Sequence, residues 1–325
     1  MSNLSNLQKK VWSGSIPLEI RLASSECRTF DQSDPYLILS PRLAYLPFLL
    51  PRLHAFFTPY LIDPSGPSSE GWLSYQDVPL KWHYPLGVLY DLYSGAEPAQ
   101  GTGLGGKASG VDIEGKDGDR DGDEDEDGEA AQPLPWRLTV HFTDWPIESL
   151  SKLDEEGRVL HDAFINGVKE ADFLRNGTAK AVMSLSKDDS TQLWTAVQTH
   201  SLPAYNAINN KLLNPPGASL RHVPMKLYLP HAANGKEAAA AGIAPGSLRV
   251  VQALVTPKLQ SRHPQTLGTA LNAIIPSLFP SRRSPLLAQP VLHGAVVPMA
   301  ANVEELMRAA AYADGWLHIV IVMMG

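Results

Sequence analysis

A single cysteine, Cys27, stands in a chain of 325 residues. One thiol cannot close an internal disulfide, and no second cysteine stands at C-x-x-C spacing. Neither cysteine nor histidine recurs at the intervals of a zinc site. Cross-links and structural zinc are thereby excluded, and a reducing compartment is expected. Absent too is any apolar run near the ~20 residues that span a bilayer. The richest one, LAYLPFLLPRLHAFF from Leu43, is broken by Pro47, Pro51 and Arg52. The opening MSNLSNLQKK lacks the apolar core of an export signal. The expected location is the cytoplasm.

Basic excess is also missing. The formal net charge is −7, but Asp112 to Glu129 holds 11 acidic and 2 basic residues, or −9. The remainder therefore carries −7 less −9, or +2. That is no nucleic-acid footprint, so nucleic acid is not an expected partner. Catalytic frames are wanting as well. His83, His141 and His161 have no serine or cysteine in a known nucleophile motif. A hydrolase built on His141 and Asp144 would lack a nucleophile. GTGLGG at Gly101 has no strand before it and cannot be read as a phosphate loop. No cofactor is expected, and no enzymatic activity of the chain's own.

What remains is organised in three parts. In residues 11–145, Ile16, Leu18, Ile20 and Leu22 alternate as in a half-buried strand. DPYLILSPRLAYLPFLLPRLHAFF reads as an extended piece followed by a short helix. GWLSYQDVP begins as a strand, and a helix opens near Pro85. Leu138, Val140 and Phe142 alternate again, so this strand returns to the sheet begun earlier. Between them, Glu97 to Pro133 is Gly, Ala, Asp and Glu with almost nothing apolar, and is expected to be a disordered acidic insertion. Asp117, Asp119, Asp121, Gly122, Asp123 and Asp125 follow a calcium-loop pattern. Position twelve is Gly128 instead of an acid, so the run is read as solvated and no metal is expected.

Residues 147–213 carry no strand signal and read as three helices, with Ser190 as the N-cap of the second. Residues 218–325 read as strand, strand, helix, strand, short helix, strand, with a Gly/Ala linker at 231–246. That is the β-grasp order of ubiquitin-like folds, and the first part fits it more loosely. The expected class is α+β: two ubiquitin-like β-grasp domains flanking a helix-rich domain.

One helix has an odd feature. In LHDAFINGVKEADFLRNG, Leu160, Phe164, Val168 and Ala171 share a stripe. Lys169 falls about 140° from Phe164 at 100° per residue, on the side that faces water. Apolar Ile165 and Phe173 nevertheless stand one turn either side of it. A solvated lysine needs no such neighbours; one to be covered by a partner does.

The segments VWSGSIPL, PRLAYLPFL, PLKWHYPLGVLYDL, PWRLTVHF, VKEAD, QLW, INNKL and GWLHIVIV occur in the order found in the autophagy protein 5 family. From Val11 to the end, the insertion and linker apart, the sequence resembles that family. The resemblance implies two ubiquitin-like domains around a helical one. It implies a lysine that accepts the C-terminal glycine of the ubiquitin-like modifier autophagy protein 12 through an isopeptide bond. That lysine falls in VKEAD and is hence Lys169. It further implies a bound helix of the coiled-coil protein autophagy protein 16. The assembly would promote transfer of autophagy protein 8 from its conjugating enzyme to phosphatidylethanolamine, at the preautophagosomal structure.

Further expectations attach to single residues. Ile165 and Phe173 are candidates for the surface the modifier covers. Trp82, Gly87 and Asp91 are candidates for the partner-helix site. Trp82 is expected to lie mostly in the core, Gly87 to permit a close approach, and Asp91 to pair with a basic residue of the partner. Lys152, Arg158, Lys169, Arg175, Lys180 and Lys187 make a mixed basic face that would allow weak peripheral contact with anionic lipid. The rival reading is an adaptor with ubiquitin-like domains that is never conjugated.

Overall fold

The computed structural model describes residues 2–29, 33–93, 134–212, 220–230 and 248–324. The acidic insertion and the Gly/Ala linker, with the expectations placed on them, lie outside the described residues.

A helix not expected from the sequence, α1 (Ser2–Ser13), opens the chain. Only Val11 and Trp12 among its apolar residues are buried, while Leu4 and Leu7 are exposed. Its anchorage is tertiary. Trp12 stacks on His200 with centroids 5.2 Å apart and leans on Tyr205 at 4.8 Å. The side chains of Gln8 and Asn206 exchange two hydrogen bonds of 3.1 Å.

The first β-grasp unit follows: β1 (Ser15–Leu22), β2 (Tyr36–Pro41), α2 (Leu50–Phe57), β3 (Trp72–Tyr75), β4 (Val78–Pro79), α3 (Leu86–Tyr93) and β5 (Trp136–His141). Its sheet runs β2-β1-β5-β3-β4, with β1 and β5 parallel at the centre. Every second residue of β1 from Ile16 is buried, so one face of the sheet meets Leu53, Phe57, Leu86 and Leu89. The β3–β4 hairpin turns on Gln76 and Asp77 at φ 48 and 63, the left-handed values a two-residue turn demands.

The middle holds α4 (Arg158–Asn176), α5 (Lys180–Met183), α6 (Lys187–Gln198) and α7 (Leu202–Leu212). The short α5 adds one helix to the three expected. Helix α6 also starts earlier than expected. Its N-cap is Ser186, whose hydroxyl accepts from the Asp189 N–H at 3.0 Å; Ser190 lies inside the helix. Asp188 and Asp189 in the first turn suit the positive end of the helix dipole, which favours the earlier start.

The second β-grasp unit is β6 (Met225–Pro230), β7 (Leu248–Gln252), α8 (Leu267–Ile274), β8 (Ala288–Leu292), β9 (Ala295–Val296), α9 (Val303–Ala310) and β10 (Leu317–Met323). Its sheet runs β7-β6-β10-β8-β9 with β6 and β10 parallel, the same order as in the first unit. The α+β class with two such units around helices stands as the sequence implied.

The units are packed together. Helix α3 of the first lies across β10 of the second, and α1 lies on α9. The Tyr84 ring meets Tyr228 edge-on at 5.2 Å. Strand β10 is buried from Leu317 through Ile321, on both faces, and both α3 of the first unit and α9 of its own unit pack against it.

Candidate functional site

Helix α4 carries Lys169, so its ends and bracing come first. The Asp154 carboxylate accepts from the Arg158 and Val159 N–H groups at 2.9 and 2.8 Å and starts the helix. The bond from Val159, then that from Arg158, holds this carboxyl below the usual range. Gly177 at φ 73 stops the helix, its N–H donating to Phe173 O at 2.7 Å. The expected stripe of Leu160, Phe164, Val168 and Ala171 is buried. Phe164 meets Trp194 of α6 at 5.3 Å and Tyr45 of the first unit at 6.4 Å.

The second unit holds another side of α4. Trp316 Nε1 donates to Gly167 O at 2.9 Å, and the buried Arg175 donates to Gly315 O at 3.2 Å. Glu170 pairs with Lys226 at 3.6 Å, and that ammonium sits 4.1 Å from the Trp316 ring centre. Gly315 is required here: its φ is +85, and a Cβ would stand 2.0 Å from Arg175 Nη2. The fully buried Asp172 accepts from Asn176 Nδ2 at 2.6 Å and from the Val182 N–H at 3.3 Å, which ties α5 to α4.

On this braced helix Lys169 is half-buried and has no ion-pair partner among the described residues. Its two neighbours differ. Ile165 is half-buried and leans on the core, whereas Phe173 is 56% exposed. Arg175 leaves the expected basic face, because it is buried. Arg158 is paired with Glu156, and Lys152 lies 3.9 Å from Glu70. No helix among the described residues is long and apolar enough to cross a membrane.

Gly87 and Asp91 come together elsewhere, around Arg42 in the joint beneath the surface, whereas Trp82 lies apart from them. Trp82 is buried, and its Nε1 donates to Ser151 O at 2.8 Å. Gly87 donates its N–H to Arg42 O at 2.7 Å; a Cβ on it would lie 3.0 Å from the Arg42 backbone oxygen. The close approach expected at Gly87 is thus made by Arg42 of the same chain. The expected pairing of Asp91 with a partner's basic residue is corrected likewise. Asp91 is buried, ion-paired with Arg42, and accepts from the Gly294 N–H of the second unit at 2.9 Å. Burial pushes this carboxyl up, against the pull of the Arg42 guanidinium. Arg42 also donates to Gly87 O at 3.2 Å. The Asp91 carboxylate therefore joins both β-grasp units, through Arg42 on one side and Gly294 on the other, and nothing local in the sequence signalled it.

Next to Gly294, the His293 ring stacks on Tyr312 at 4.2 Å and donates through Nε2 to Ala310 O at 2.9 Å. Burial pushes its pKa down to about 3. Another buried chain of bonds, Tyr228 to His318 at 2.6 Å and His318 to Asp314 at 2.8 Å, lies where α4 meets the second unit. The structure also brings Ser74 Oγ within 2.9 Å of His141, a pair the sequence separates. Ser74 is 1% exposed and the imidazole is stacked on Trp72 at 3.8 Å, so this hydroxyl is out of a substrate's reach.

Comparisons with known proteins agree along the chain. Three family models match in turn: "Autophagy protein ATG5, UblA domain" over residues 11–142, "Autophagy protein ATG5, alpha-helical bundle region" over 157–215, and "Autophagy protein ATG5, UblB domain" over 222–321. A relative from Phaeosphaeria nodorum described as autophagy protein 5 is 56% identical over 321 residues, covering 99% of this chain and 98% of its own length. A relative of the same description from Aspergillus terreus is 51% identical, covering 100% of this chain and 99% of its own. Among solved structures, the crystal structure of Kluyveromyces marxianus Atg5 matches with a TM-score of 0.67 over 97% of this chain and 99% of that one. At 20% identity that likeness is one of fold.

Proposed function

The chain belongs to the autophagy protein 5 family, and from that premise we propose that Lys169 is a conjugation acceptor. The neutral amine attacks the thioester carbonyl that links the C-terminal glycine of autophagy protein 12 to its conjugating enzyme. A C–N bond forms, the C–S bond breaks, and the thiolate leaves with the electron pair and takes up a proton. The conjugate binds a helix of autophagy protein 16. As that complex it promotes, without a catalytic group of its own, transfer of autophagy protein 8 from its conjugating enzyme to phosphatidylethanolamine. It works in the cytoplasm and at the preautophagosomal structure, with weak contact to the membrane surface.

The observation that carries the reading is the setting of Lys169. It has no ion-pair partner among the described residues, and it sits on a helix fixed by both neighbouring units. A fixed helix presents an amine in one place, which helps a bimolecular acyl transfer. The exposed Phe173 one turn away offers apolar surface for the modifier. Ile165 contributes from its half-buried position. Trp82, Gly87 and Asp91 are the framework under the partner-helix site rather than its contact surface.

The test is reconstitution. Wild type and Lys169→Arg are incubated with the modifier, its activating and conjugating enzymes and ATP, then run on a denaturing gel. A covalent adduct from wild type alone supports the proposal. No adduct from either, beside a working positive control, moves the adaptor reading ahead.

A further inference from the structure

Four positions in the chain place a serine or threonine directly before a proline: Ser40, Thr58, Thr256 and Ser284. A residue in that place is pushed out of the helical region toward extended backbone. The proline ring that follows has no N–H to pair. A proline-directed kinase reads that combination, a hydroxyl on an extended stretch with a ring next to it. The structure separates the four. Ser40 is 2% exposed, inside β2 and opposite Ile16 of β1. Thr58 Oγ1 donates to His54 O at 2.6 Å at the end of α2. Thr256 Oγ1 is held 2.8 Å from Lys258 O and 2.9 Å from Gln265 Oε1. Ser284 is exposed, and its hydroxyl has no hydrogen-bond partner among the described residues.

The surroundings of Ser284 present that hydroxyl. Arg282, Arg283, Leu286 and Leu287 are exposed and Pro285 is half-buried, in a stretch without helix or strand. The stretch is pinned at both ends. Arg282 Nε donates to Asn272 Oδ1 of α8 at 3.0 Å, and the Met324 N–H donates to Leu287 O at 2.9 Å. Between the pins the backbone is held lightly, by Ser281 Oγ, which accepts from the Arg283 and Ser284 N–H groups at 3.2 Å each.

The charge around the site is one-sided. Residues 248–303 carry Arg249, Lys258, Arg262, Arg282 and Arg283 but no aspartate or glutamate. Neither Arg282 nor Arg283 has an ion-pair partner among the described residues. A phosphoserine brings a charge of about −1.5 to −2 and three strong acceptor oxygens. Guanidiniums one and two residues away suit those oxygens in charge and in geometry.

We propose that Ser284 is a phosphorylation site for a proline-directed kinase, and that Arg282 and Arg283 hold the phosphate. The Ser284 hydroxyl oxygen attacks the γ-phosphorus of ATP. The new O–P bond forms as the bond to the ADP oxygen breaks, ADP leaves with the electron pair, and the serine proton passes to the kinase's catalytic carboxylate. The modified loop goes from two unpaired cations to near neutrality, which lowers the hold of the second unit on a polyanion. This site does not depend on conjugation at Lys169.

The full chain and a synthetic peptide of residues 278–290 are incubated with ATP and a purified mitogen-activated protein kinase, and separately with a cyclin-dependent kinase and its cyclin. The peptide reports whether the sequence is read, and the folded chain whether the fold presents it. The expected result is a single phosphate on the folded chain, mapped by mass spectrometry to Ser284. It is lost in Ser284→Ala, whose thermal midpoint is unchanged. Phosphate on Thr58 or Thr256 in preference overturns the proposal. So does a peptide that is modified while the folded chain is not, or a peptide that neither kinase modifies. A phosphorus NMR titration of the modified chain should give a lower phosphate pKa than the same chain carrying Arg282→Gln and Arg283→Gln, because nearby cations favour the dianion. Equal values overturn the role given to the two arginines. The phosphorylated chain should also leave a heparin column at lower salt than the unmodified one, and unchanged elution overturns the charge switch.

Discussion

The two β-grasp units share a strand order, a parallel central pair and a buried inner face, yet their outer faces differ. In the second unit, helix α3 of the first lies on β10, and both faces of that strand are buried. In the first unit the burial of β5 alternates, and the outer face presents Arg137, Leu37 and Leu39. One unit therefore serves as a platform on which the others are assembled. The other leaves its outer face uncovered among the described residues. The same topology does both, and the difference lies in side chains such as His318 and Val320 against Glu19 and Arg137.

The largest effect should come from breaking the joint that makes the second unit a platform. Asp91→Ala leaves the buried Arg42 guanidinium unpaired and should cost about 3–5 kcal/mol in chemical denaturation. A loss below about 1 kcal/mol would mean that the pair is solvated. Next comes a matched pair on the two outer faces. Val320→Ala removes two buried methyl groups and should cost on the order of 2 kcal/mol. Leu39→Ala, on an exposed position, should stay within about 0.5 kcal/mol. Equal costs would erase the distinction between covered and open faces.

The joint also has a pH signature. His293 holds no proton in the folded chain until about pH 3, whereas the unfolded chain binds one near pH 6.5. The unfolded state then binds more protons, so this contribution is complete above about 6.5 and is lost as pH falls toward 3. The slope is at most about 1.4 kcal/mol per pH unit. Urea midpoints of His293→Gln should fall less steeply with acid than those of wild type. Parallel slopes would remove His293 from the account. The smallest effect concerns helix α6. Ser186→Ala should cost about 1 kcal/mol and Ser190→Ala almost nothing. The reverse order would return the N-cap to Ser190.

Much of this fold was legible in the chain because it rests on local periodicity. Ile16 to Leu22 alternates, the Leu160 to Ala171 stripe recurs at helical spacing, and both signals survive folding intact. Helix α1 was not legible, since its stability comes from Trp12 on His200, 188 residues away. Asp91 was misjudged for the same reason. Its partners Arg42 and Gly294 lie 49 and 203 residues distant, and no pattern near Asp91 announces them. At the candidate site, the helical wheel placed Lys169 toward the surface and Phe173 beside it. It could not tell that Ile165 leans on the core, because that depends on which elements pack against α4.

The central claim is that one lysine of this chain is the acceptor, and the linkage itself is the most direct measure. The covalent adduct formed with autophagy protein 12 would be isolated, digested with trypsin and sequenced by mass spectrometry. The account predicts a branched peptide in which the modifier's C-terminal glycine is joined to the ε-nitrogen of Lys169. A branch on the exposed Lys180 or Lys187 of the same helical unit, with Lys169 recovered unmodified, would contradict it.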